Sequence, residues 1–255
     1  MLLTKGIQDS LEYRVYETRE DLGVAAGNDI ADTIIEMLKE KETLNMIFAA
    51  APSQNETLET LLRRADIPWS RINAFHMDEY TGLSDDAPQR FGHFLEHAIF
   101  GRVPFMSVNY INGSADDIDG ECKRYSRLLE ENPVDIVCLG IGENGHIAFN
   151  DPGVADFNDP VRVKMVELDE ICRNQQVNDG CFATIDDVPT HALTLTIPAL
   201  ISAKVMFCVV PAKTKKWAVT QTIKGNISEE CPATILRNHN HAILYCDQQS
   251  GACLL

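Results

Sequence analysis

The sequence predicts a doubly wound α/β fold, a mostly parallel open sheet with helices on both faces. Short apolar runs of strand length recur along the 255 residues and alternate with helical patterns. No internal repeat is visible, and no linker is long enough to divide the chain. Hydrophobic residues make up 45% and charged residues 24%, a globular balance in a chain long enough to bury a core without disulfide staples. The expectation is one domain over 1–255, with a mobile, lid-like insertion at about 153–187.

Thr18-Arg19-Glu20-Asp21 reads as a helix start, with Thr18 as N-cap. Leu22, Ala25, Ala26, Ile30, Ile34 and Leu38 keep helical spacing to about Lys41. Residues 45–51 form a short buried strand stopped by Pro52, and Ser53 is placed to cap a helix over 56–65. A second strand, 72–77, ends in Asp78-Glu79-Tyr80. A helix at 91–100, a strand at 108–111 and a helix at 117–131 follow, and then the apolar strand 136–139. The chain is irregular from Pro152 to about Val161, with a strand near 163–166. Residues 169–187 are rich in Asn, Gln, Asp and Gly and offer few anchors. Strands at 191–197 and 204–210, a helix at 213–224 and a strand at 241–247 complete the pattern.

Net charge is -16, which argues against a nucleic-acid or anionic-membrane partner. A local pocket for a small anion stays compatible with it. No apolar run approaches the roughly 20 residues of a membrane span, and the N-terminus lacks a signal-peptide pattern. The eight cysteines include no C-x-x-C pair. A disulfide framework is formally open, but buried free thiols in a reducing, cytoplasmic compartment fit a chain of this length better.

Three strand exits could carry chemistry, because such a sheet collects ligand groups there. Pro52-Ser53-Gln54-Asn55 opens a helix, whose free N–H groups and dipole suit a phosphate; plain capping by Ser53 is the competing reading. Asp78-Glu79 closes an apolar strand and could include a general base, or be a solvated turn. The third exit is Gly140-Ile141-Gly142-Glu143-Asn144-Gly145-His146, followed by Asp151. A histidine titrates near neutrality and moves protons, and a nearby carboxylate can tune it; a capping histidine in a glycine turn is the plainer alternative. His93-Phe94-Leu95-Glu96-His97 matches an H-x-x-E-H zinc pattern, but no third ligand is recognisable, so no metal is expected. The glycine segment is neither a dinucleotide fingerprint nor a Walker loop.

Two of these stretches, Phe75-His76-Met77-Asp78-Glu79-Tyr80 and Gly142-Glu143-Asn144-Gly145-His146-Ile147-Ala148-Phe149-Asn150, resemble the glucosamine-6-phosphate deaminase/isomerase family. The likeness covers nearly the whole chain. The related 6-phosphogluconolactonases share a Gly-His pair but differ after the histidine. The resemblance implies a metal-free and cofactor-free conversion of glucosamine 6-phosphate to fructose 6-phosphate and ammonia, and a family that often forms homo-oligomers. It implies that His146 opens the sugar ring, that Asp151 and Asn144 orient it, and that Asp78 moves the C2 proton to C1. Ser53, Gln54, Asn55 and Lys215 would hold the phosphate, with Glu79 and Gly145 also beside the substrate. Several positions depart from the family pattern. Asp151 stands where Glu is usual, Asn144 where some branches carry Asp, and Gln176 where a lid arginine is usual. The phosphate loop reads Ser53-Gln54-Asn55-Glu56 instead of Thr-Gly-Gly-Thr. These changes keep two alternatives open: an isomerase or lactonase for another sugar phosphate, and a non-catalytic sugar-phosphate sensor.

Overall fold

The structure, a computed structural model, describes residues 1–178 and 180–255. It opens on an antiparallel hairpin that the sequence reading passed over, β1 (Leu2–Gln8) and β2 (Leu11–Tyr16), turning at Asp9 with φ 53°. Helix α1 (Arg19–Met37) begins as predicted, with the Thr18 hydroxyl accepting the Asp21 N–H at 3.0 Å. Then come β3 (Leu44–Phe48), α2 (Asn55–Arg63), β4 (Ile72–His76), β5 (Asp78–Tyr80), α3 (Phe91–Leu95), β6 (Ser107–Asn109) and α4 (Ile118–Glu131). The second half holds β7 (Ile136–Leu139), β8 (Val163–Glu167), α5 (Glu170–Asn178), β9 (His191–Leu195), α6 (Ile197–Ile201), β10 (Val205–Val210), α7 (Lys216–Lys224) and β11 (Ala242–Asp247).

Eight strands form the main sheet in the order β1-β2-β11-β10-β7-β3-β4-β6, and every neighbouring pair but β1/β2 is parallel. Strand residues alternate between two cores. Val137, Leu139, Met206 and Cys208 pack on one face with α4, α6 and α7. Ile136, Cys138, Phe207 and Val209 pack on the other with α1 and α2. Burial on both faces is why these strands read as unbroken apolar runs. From β3 the chain winds outward to β4 and β6, then returns to place β7 on the other side of β3. The crevice beyond the carboxyl ends of β3 and β7 is therefore the switch point where a ligand fits.

Three expectations are corrected. Strands β8 and β9 do not join the main sheet; with β5 they make a separate antiparallel sheet, β5-β9-β8. In β8, buried Val166 lies between the exposed Met165 and Glu167, the alternation of a strand with one wet face. The segment 169–187, read as polar with few anchors, contains helix α5. Its buried side is Cys172, Gln175 and Gln176, so it carries almost no apolar periodicity to detect. Ser53 does not cap α2: Pro52–Gln54 forms a 3-10 turn, and the Ser53 hydroxyl instead accepts the Gln54 side-chain amide at 3.1 Å. Among the described residues no helix is long and apolar enough to cross a membrane, and the eight cysteines are unbridged.

Candidate active site

The exits of β3 and β7 border a cleft of about 130 Å³. Asp78, His146, Ser53, Lys215 and Gln176 line it together, with the α5 residues Gln175 and Gln176 and the Phe91 ring forming part of its wall.

His146 owes its place to the glycines before it. A Cβ on Gly142 would lie 2.2 to 2.4 Å from the imidazole atoms, so the side chain is absent where the ring must sit. The Gly142 N–H donates to the His146 carbonyl at 2.9 Å and closes the turn. Gly145 adopts φ 87°, and a Cβ there would meet the Cys231 sulfur at 2.4 Å. Gly142 and Gly145 thus make room for the imidazole and for a tight turn. Gly142→Ala is expected to displace the ring and lower kcat about 100-fold, since a misplacement near 1 Å costs that much. Steady-state kinetics beside a melting curve checks this: the activity loss should exceed any loss of fold.

The His146 Nδ1 lies 2.8 Å from Asp151 Oδ1, in a contact too bent for a full hydrogen bond. Asn144 joins the two: its amide donates to Asp151 Oδ1 at 2.8 Å and its carbonyl oxygen accepts the His146 N–H at 3.1 Å. Burial pushes the Asp151 carboxyl up. The charge and close approach of His146, with bonds from Asn144 and Cys172, outweigh it and hold Asp151 below its usual range. Asp151 is thus an ionised partner for the histidine. Cys172 went unnoticed in the sequence, because a lone cysteine in a polar segment gives no signal.

Asp78 is 8% exposed. Burial, and then the charge of Glu79, raises its pKa well above the ordinary value. Its backbone is fixed from two sides. Strand β5 pairs Asp78 with Thr194. His76, fully buried, accepts the Ile111 N–H on Nε2 at 2.8 Å, so its Nδ1 carries the proton and donates to the Asp78 carbonyl at 2.9 Å. Burial lowers the His76 pKa to about 4, so it is a neutral strut. Strand β9 also braces the other half of the site: the Thr194 hydroxyl accepts the Phe149 N–H at 3.0 Å, and Asn150 donates to the Leu195 carbonyl at 2.8 Å. One strand therefore ties the Asp78 strand to the loop that carries His146.

Four expected substrate contacts stand elsewhere. Glu79 accepts the N–H groups of Tyr80, Phe91 and Gly92 at 3.0, 3.0 and 2.9 Å, closing the start of α3 and lying outside the cleft wall. Gln54 is buried with its amide 3.4 and 3.3 Å from the Leu139 and Val209 carbonyls, where it ties β7 to β10. Asn55 is exposed and faces a different surface groove. Gly145 serves its turn. Ser53, Gln176 and Lys215 do line the cleft, and so does Arg19, which sequence reasoning left unmarked inside a helix start.

Comparison with known proteins matches residues 17–245 to the family of glucosamine-6-phosphate isomerases/6-phosphogluconolactonase. The chain belongs to that family. A glucosamine-6-phosphate deaminase of Bacillus cereus (strain B4264) is 37% identical over 236 residues, which are 92% of this chain and 86% of the relative. A solved monomeric glucosamine-6-phosphate deaminase is 33% identical, with a TM-score of 0.84 over 95% of this chain and 99% of its own. The 6-phosphogluconolactonase of Thermotoga maritima, at 20% identity and a TM-score of 0.73 over 93% and 98% of the two chains, shares the fold.

In the H-x-x-E-H stretch, the Nδ1 atoms of His93 and His97 bond the Ala87 and His93 carbonyls at 2.9 and 2.8 Å. Among the described residues, the donors with metal-like spacing are His146, Asp151 and Cys172, whose ligand atoms lie within 4.8 Å of one another. Burial and the Asp151 charge push the Cys172 thiol far up, which disfavours the thiolate that a metal needs.

Proposed function

We propose that this protein deaminates and isomerises glucosamine 6-phosphate, giving fructose 6-phosphate and ammonia. The observation that carries the reading is the shared brace on β9, which sets Asp78 and His146 into one cleft. The relatives' named activity agrees with it.

The chemistry needs two proton transfers at neighbouring carbons. His146 moves a proton between the ring oxygen and the C1 hydroxyl, with Asp151 supporting the charge it gains; this opens the pyranose. Asp78 then takes the C2 proton. Electrons flow toward C1, an enolamine forms, and return of the proton to C1 leaves an imine at C2 that water hydrolyses to the ketose and ammonia. The C2 proton is weakly acidic, so the carboxylate works through fixed geometry and desolvation. A carboxyl with a raised pKa is a stronger base once ionised, at the cost of needing a higher pH to ionise.

The sign of the pH effect follows. Asp78 acts as a base only in its ionised form, so kcat/KM falls as pH drops through its raised pKa, above the ordinary aspartate value of about 3.9. Glu79→Gln removes the neighbouring charge and is expected to move this acid limb to lower pH. A kcat/KM profile of the two proteins checks it; an unmoved limb would contradict the assignment. The function itself is tested by coupled assay of ammonia and fructose 6-phosphate, with 6-phosphogluconolactone and other sugar phosphates as controls. Absence of turnover with any hexosamine phosphate would overturn the reading.

A further inference from the structure

A sugar phosphate brings a charge near -2 into this cleft, and two of the four groups expected to hold it, Gln54 and Asn55, stand elsewhere. The Gln54 amide is spent on Ser53, Leu139 and Val209. Asn55 faces another groove. Gln176 on α5 is uncharged. Apart from His146, the cationic side chains in the cleft wall are Lys215 and Arg19.

Arg19 is the first residue of α1, far in sequence from every motif, yet it is anchored to the turn that begins at Pro52. Its Nε lies 2.7 Å from Glu56 Oε1, and its Nη2 donates to the Pro52 carbonyl. Those two contacts hold the guanidinium against both ends of the Pro52–Glu56 turn. They engage Nε and Nη2, and a guanidinium offers five donors in a rigid fork that matches phosphate oxygens. The pairing also answers the charge of Glu56, which sits in the first turn of α2 where it would repel a phosphate. α1 can approach α2 this closely because Gly23 is one turn on: a Cβ there would lie 2.3 Å from the Glu56 Cβ.

We propose that Arg19 is a specificity residue for the phosphate end of the substrate, binding the phosphate together with Lys215 while it holds Glu56 neutralised. The proposal rests on the sugar-phosphate reading above. Arg19 acts on a group remote from the reacting carbons, so it supplies binding shared by ground and transition states and should act on KM, not on kcat.

The experiment measures kcat and KM for glucosamine 6-phosphate and inhibition by inorganic phosphate in four proteins: unaltered, Arg19→Ala, Arg19→Lys and the double variant Arg19→Ala with Glu56→Gln. Loss of charge-assisted bonds to a phosphate predicts a KM and a phosphate inhibition constant about 10- to 100-fold higher in Arg19→Ala, with kcat nearly unchanged. Arg19→Lys should restore part of the loss. The double variant separates contact from neutralisation. If Arg19 touches the phosphate, KM stays raised after the Glu56 charge is gone. Recovery of the unaltered KM in the double variant would show that Arg19 only neutralises Glu56, and would overturn the proposal. So would an unchanged KM in Arg19→Ala, or a fall in kcat alone. Thermal shift with inorganic phosphate keeps the question independent of turnover: stabilisation of the unaltered protein but not of Arg19→Ala supports the site even if the sugar proves to be a different one. Equal stabilisation, or none in either, overturns it.

Discussion

Replacing Asp78 with Asn is expected to lower kcat for glucosamine 6-phosphate by about 10²- to 10⁴-fold while leaving the fold as stable as before, or more so. The rate loss is the typical contribution of a positioned general base. An amide of nearly the same shape keeps the side chain in place but cannot take the C2 proton. The stability expectation has the opposite sign to most core substitutions. Asp78 is buried, with its charged form opposed first by desolvation and then by Glu79. A neutral amide removes that strain. Kinetics with a melting curve tests both halves. A variant that is inactive because it is unfolded would not support the assignment, whereas one that is inactive and equally stable would.

His146→Gln carries the second large effect, with a different signature. The rate loss should again be about 10²- to 10⁴-fold, because ring opening loses its proton carrier. Here stability should fall. Asp151 is 1% exposed and is held ionised largely by the charge and contact of His146. Without the imidazole, Asn144 and Cys172 remain as its partners, and a buried carboxylate left short of partners costs about 1–3 kcal/mol. Chemical denaturation at about pH 5 to 6, where an imidazole carries its charge and Asp151 is ionised, reads that difference directly. The two variants thus separate a base that the protein strains to keep ionised from a proton carrier that its partner needs.

The parallel half of the fold was legible because its physics is local. Strands buried on both faces write themselves as unbroken apolar runs, as Ile136–Leu139 and Val205–Val210 do. The Thr18 cap declared the start of α1. What escaped notice had weaker local signals. Helix α5 turns Cys172, Gln175 and Gln176 inward, so a polar composition hid a buried face. The three-residue strand Asp78–Tyr80 is shorter than any window of alternation can register. In the site, the chemistry was legible and the contacts were not. Residue type at strand exits marks Asp78, His146 and Asp151, and the structure brings the first two into one cleft with the third at ion-pair distance from the histidine. The family resemblance implies Glu79, Gln54 and Asn55 beside the substrate, yet consecutive residues at a strand exit or helix start point in different directions. Asp78 enters the cleft while Glu79 caps α3. Arg19 and Cys172 reach the site from helices remote in sequence, and only the folded chain reveals them.

The central claim is that Asp78 carries the hydrogen from C2 to C1 within this cleft. The most direct measurement uses glucosamine 6-phosphate with deuterium at C2 and follows the label into fructose 6-phosphate by NMR. A buried carboxyl shielded from solvent should slow turnover of the labelled substrate and deliver part of the deuterium to C1, and Asp78→Asn should abolish both product and transfer. Turnover of Asp78→Asn close to that of the unaltered protein, with deuterium still arriving at C1, would contradict the account.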